Sequence, residues 1–168
     1  MSTLDQLLAH DAWTTQRLLE ACGDLDNERL DRVFDMGPGT VRSTFIHIIG
    51  TMEHWADRIA ERIRTQPAPD PSATIDDLKR RLEAAAAALR TVAEDVRSSG
   101  RGREMMEVTY EGTCYRFTRG IALVHVATHG MHHRAQIINM LRRLGVDHGI
   151  EGDAIEWELA GEPMVGAE

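Results

Sequence analysis

Four of the eight histidines fall in one stretch, Thr118 to Gly145, at positions 125, 129, 132 and 133. Histidines four apart on a helix stack their imidazoles on adjacent turns, about 6 Å apart at the backbone, and such a pair can grip one divalent ion. His125 with His129 and His129 with His133 both have this spacing. His125 and His133 cannot readily share an ion, because eight residues of helix climb about 12 Å. Spacing leaves both neighbouring pairs open. No glutamate follows the first histidine of either pair, so the pattern is not the HExxH of a zinc protease.

The element that must carry these residues is one long helix. Thr118 can cap it, no proline interrupts it, Arg142 and Arg143 stand at the negative end of the dipole, and Gly145 offers the stop. At 3.6 residues per turn His125, His129, His133 and Gln136 form one stripe, with Val124, Met131, Ile138 and Leu141 beside it on the side expected to face a core. The histidines are therefore expected to point inward.

A second source of ligands lies upstream. After the break Met36-Gly-Pro-Gly39, Thr40 can cap a helix running to about Arg64, with an apolar stripe of Phe45, Ile48, Ile49, Met52, Trp55, Ile59 and Ile63. His47 and His54 are two turns apart on it, so at most one is expected to share an ion with the long helix. His47, set among Phe45, Ile48 and Ile49, would need a polar partner if buried and is the better candidate.

Two further helices complete the set. Leu4 to Cys22 repeats apolar residues at three-and-four spacing from a Ser2 or Thr3 cap, with His10 expected as a hydrogen-bonded core or boundary residue. The Ala- and Leu-rich segment after Thr74 begins with a capping-box pattern closed by Asp77. TQPAPDPS, from 65 to 72, predicts a surface linker, and a single helical turn is expected near Asn27 to Arg32. MMEVTYEGTCYRF predicts a short hairpin turning at Glu111-Gly112, which must pack on helices because two strands alone are marginal. From about residue 146 the chain becomes an acidic, glycine-punctuated tail that Ile155 and Trp157 are expected to dock, with its last residues loose.

The chain has 168 residues, enough for one domain (1–168) with a sizeable core. Its formal net charge of −8 argues against general nucleic-acid binding and against attraction to an anionic membrane. The start, MSTLDQLLAHD, has no basic and apolar leader, and no apolar run nears bilayer length, so a cytoplasmic protein is expected. Cys22 and Cys114 lack CxxC spacing and read as free thiols.

Four amphipathic helices with these connections predict an all-α four-helix bundle, with a short hairpin before the last helix. Facing helices of such a bundle can build a metal site, and one histidine from the helix after Thr40 could meet two from the last. The Glu-x-x-His pairs of a di-iron carboxylate site are absent. Three neutral imidazoles leave at least one coordination position for an exogenous ligand; Zn²⁺ and Ni²⁺ are the expected ions, and Cu²⁺ and Fe²⁺ also accept imidazole.

The order of these elements, with TFIHIIGTMEHW in the second long helix and HVATHGMHHRAQI in the last, resembles the DinB/YfiT-like superfamily of metal-dependent bundles over nearly the whole chain. The resemblance implies that His47, His129 and His133 hold the metal. It departs at Arg134-Ala135-Gln136, where the superfamily more commonly has glycine in the middle. It also implies a homodimer and a transferase that activates a low-molecular-weight thiol. A metal-dependent hydrolase and a non-catalytic, metal-binding stress-response bundle are the alternatives. His125, His132 and Glu53 are candidate proton relays or supports for the ligands, and Gln136 could orient a bound ligand.

Overall fold

The computed structural model describes residues 2–64 and 66–161. Four long helices form the bundle: α1 (Thr3–Ala21), α3 (Val41–Ile59), α4 (Ile75–Ser98) and α5 (Arg119–Arg143). A one-turn helix α2 (Asn27–Leu30), a 3-10 turn (Arg101–Arg103), a hairpin of β1 (Met105–Tyr110) and β2 (Thr113–Thr118), and a short α6 (Ala154–Ala160) complete the described chain. Each long helix begins where its sequence supplies a side-chain acceptor. Ser2, Thr40 and Thr74 close capping boxes with Asp5, Ser43 and Asp77, and Thr118 accepts from the Ile121 N–H.

Around the bundle the order is α1, α4, α3, α5, so α1 and α3 are diagonal, as are α4 and α5. Diagonal connections must span the end of the bundle, and the two longest insertions do this: residues 22 to 40 with α2, and residues 99 to 118 with the hairpin. The core between the helices is aliphatic, with Leu18, Leu19, Phe45, Ile48, Ile49, Leu78, Leu89, Leu123, Ile137 and Met140 all fully buried. The hairpin pairs Met105 with Thr118 through Tyr110 with Thr113, and Glu111 and Gly112 both take positive φ at its turn, as a two-residue connection requires.

Several expectations are corrected. The helix after Thr40 ends at Ile59 rather than near Arg64, and Ile63 is 88 % exposed, outside the apolar stripe. The stop is tertiary: the buried Arg119 guanidinium donates to the Ile59 carbonyl and to Glu61 at 2.6 Å, while Glu61 takes φ +56° and the Arg62 N–H closes back on the Asp57 carbonyl. On α5, Val124 and Met131 face solvent, because the core-facing row is Ala122, Leu123, Val126, Ala127, Gly130, Ile137 and Leu141. On α1 the buried row runs through Leu8, Asp11, Thr15 and Leu18. The proline segment is not wholly on the surface: Pro69 is buried, with its ring 3.8 Å from where a Cβ on Gly50 would stand, an ordinary van der Waals distance.

The acidic tail folds in part. Ile150 is buried and Trp157 reaches His10, with ring centroids 6.2 Å apart, but Ile155 is exposed and docks nothing. α6 itself was missed because seven residues bounded by glycines carry little periodic signal. The expected looseness of the final residues falls on 162–168, outside the described part. No described helix is long and apolar enough to cross a membrane.

Candidate metal centre

His47 sits one position off the buried stripe of α3, on a flank row with Gly50, Thr51 and His54 at i, i+3, i+4 and i+7. It is exposed; on α5 His125 is exposed as well, which corrects the expectation that every histidine of that helix's stripe points inward. On α5, His129 is half-buried and His133 buried, and the packing of α3 against α5 brings all three rings together. His47 Nε2 and His129 Nε2 face each other at 3.2 Å. Ring centroids are 4.5 Å apart for both His47 with His133 and His129 with His133, and one ring nitrogen from each of the three lies within 4.8 Å of the others.

Gln136 sets the chemistry of His133. Its Oε1 lies 2.8 Å from His133 Nδ1, so the ring carries its proton there and keeps Nε2 as a lone-pair donor. The amide nitrogen of Gln136 then donates to His132 Nε2 at 3.1 Å. His132 is thereby tied to the support of His133 and contributes no ring to the cluster. A Cβ on Gly37, which has φ +50°, would collide with Gln136 Oε1, so the break before α3 also shapes this support.

The electrostatics favour neutral rings. Desolvation, reinforced by the neighbouring imidazoles, pushes His129 down to about 4, and partial desolvation lowers His47 and His133 as well. Neutral imidazoles are the form a metal ion takes. A tetrahedral ion with Zn–N bonds near 2.0–2.1 Å sets its ligand nitrogens about 3.3 Å apart, close to the separation of His47 and His129. The donor set, its charge state and the outer hydrogen bond to Gln136 all fit a divalent ion.

The remaining sequence candidates are placed elsewhere. His125 and His54 flank Trp55, with centroids 5.3 Å and 6.0 Å from it, one turn or more from the cluster. His10 is buried on Trp157, and its Nε2 has no hydrogen-bond partner among the described residues, contrary to the expected satisfied histidine. Glu53 is held bidentately by Arg81 at 2.5 and 2.8 Å. Cys22 is buried, with its thiol pushed up to about 12 by desolvation, which makes it inert.

A cleft of about 390 Å³ opens beside the cluster, walled by His47, Gly50, Thr51, His54, Trp55, Arg64, Pro69, His125 and His129 among others. Behind the cluster lies a feature absent from the sequence reading. Arg134, next to His133, makes a buried ion pair with Asp11 of α1, and Gly130 leaves the space for it, since a Cβ there would strike the Asp11 carboxylate. The available signal was a polar run, Asp11, Thr14 and Thr15, at core spacing between Leu8 and Leu18.

A family model described as the DinB family matches residues 1–153, and the chain belongs to that family. No curated protein matches the chain in sequence.

Proposed function

We propose that this member of the DinB family holds a divalent ion, Zn²⁺ or Ni²⁺, on His47, His129 and His133 and transfers a low-molecular-weight thiol to an electrophile. The observation that carries the reading is the cleft that opens beside His47 and His129. A purely structural ion needs no such space, whereas a small substrate is commonly received in a pocket of about 300–1,000 Å³.

An ion so held supplies Lewis acidity, lowering the pKa of a thiol or water that reaches it. The chain's own residues do the rest. His47, His129 and His133 present neutral nitrogens from two helices, and Gln136 holds His133 in one tautomer. Trp55 and Pro69 exclude water from the flank of the cleft where substrate would lie. His125, whose ring centroid is 5.4 Å from that of His129, also lines the cleft.

The test is metal analysis of untagged protein followed by turnover of an electrophile across a panel of small thiols. Activity lost in His129→Ala with retained fold supports the proposal. Activity without thiol would replace transfer by hydrolysis. Inactivity throughout, joined to a large drop in melting temperature on chelation, would leave a stabilising ion in its place.

A further inference from the structure

In a chain with 27 acidic and 19 basic residues, no aspartate or glutamate among the described residues lines the cleft beside His47 and His129, and Arg64 does. Arg64 follows the early end of α3, and its side chain is one-third exposed. Its one partner among the described residues is Glu53 Oε2, at 3.5 Å, the outer limit of a hydrogen bond. Arg81 already occupies both oxygens of Glu53, at 2.5 and 2.8 Å, and lies outside the lining. The Arg64 guanidinium therefore has most of its five N–H donors uncommitted to described residues, with Glu53, at 3.5 Å, as its only carboxylate partner among them.

Neighbouring groups define what fits. Trp55 forms an aromatic wall, with its ring 5.8 Å from Phe117 and 5.3 Å from His125. The other polar groups in the lining are the Thr51 hydroxyl and the rings of His47, His54, His125 and His129. Arg64 is the one guanidinium or ammonium side chain among the described lining residues, and its planar fork matches a planar carboxylate. We propose that Arg64 anchors a carboxylate of the ligand that occupies this cleft, with the body of that ligand against Trp55. This rests on reading the cleft as the substrate site of the triad, but its test needs neither metal nor turnover.

The test is titration of metal-free protein with 3-phenylpropanoate and with its neutral isostere 3-phenylpropanamide, followed by calorimetry or ligand-observed NMR. Without metal, the carboxylate cannot be captured by an ion instead of by Arg64. The acid is expected to bind at least about tenfold more tightly than the amide, a preference lost in Arg64→Gln and partly kept in Arg64→Lys. Rising salt is expected to weaken the acid alone. Equal binding of acid and amide, no binding of the acid at millimolar concentration, or a preference that survives in Arg64→Gln would each overturn the proposal. Tighter binding of 2-phenylethyl phosphate would overturn the carboxylate assignment. A carboxylate preference in a protein that takes up no metal or transfers no thiol would leave Arg64 as assigned and remove the transferase; thiol transfer without the preference would do the reverse.

Discussion

His47 and His129, 82 positions apart in sequence, point their Nε2 atoms at each other across 3.2 Å. Two neutral imidazoles at that distance hold together only if one donates a proton to the other or if a cation takes both lone pairs. Replacing either ring by alanine is expected to weaken Zn²⁺ or Ni²⁺ binding by more than about 100-fold, since only two of the three donors remain. His125→Ala and His54→Ala are expected to change affinity little. Competition with a chromophoric chelator measures this; equal losses for His54 and His47 would exclude the assigned set.

Gln136 is expected to influence the proposed metal ion through its hydrogen bond to His133. Gln136→Ala is expected to weaken metal binding by about 10–100-fold without unfolding the bundle, the usual cost of losing an outer-shell partner. Gly37→Ala is expected to weaken it in the same direction, because the new methyl group displaces Gln136 Oε1. Unchanged affinity in both variants, with unchanged circular dichroism, would mean that the His133 tautomer is set by something else.

The His129 ring has a pH signature in the metal-free protein. Its folded pKa is about 4, against an ordinary value of 6.5. Above 6.5 neither state is protonated, so this ring adds no pH dependence. As pH falls below 6.5 the unfolded chain takes up the proton first, and stability declines until the folded ring also protonates near 4. Urea midpoints between these limits are expected to fall with falling pH, less steeply in His129→Gln. NMR titration of the His129 ring above pH 6 would contradict the assignment.

The buried pair of Asp11 and Arg134 is a matched unit, with Asp11 1 % and Arg134 3 % exposed. Arg134→Met strands a buried carboxylate and is expected to cost about 3–5 kcal/mol. Adding Asp11→Leu is expected to recover most of that loss, because a well-packed apolar pair is often no worse than a buried ion pair. Urea denaturation of the single and double variants checks the coupling. Simple additivity would show that the two residues are energetically independent.

Much of this protein was determined locally. The capping residues Ser2, Thr40, Thr74 and Thr118, the apolar periodicities, and the two-residue turn at Glu111-Gly112 each act within a few positions of themselves, so the helices and hairpin could be read in order. The 3.6-residue period also placed His129 beside His133. Tertiary structure decided which third histidine meets them, because the approach of His47 depends on how α3 packs against α5. It also ended α3 at Ile59, where Arg119, sixty residues further along the chain, binds the terminal carbonyl more effectively than local propensity could extend the helix. The same holds for the partnership of Asp11 with Arg134 and for the cleft beside His47 and His129: both are made of groups distant in sequence, whose proximity is a property of packing and has no periodic trace in the chain.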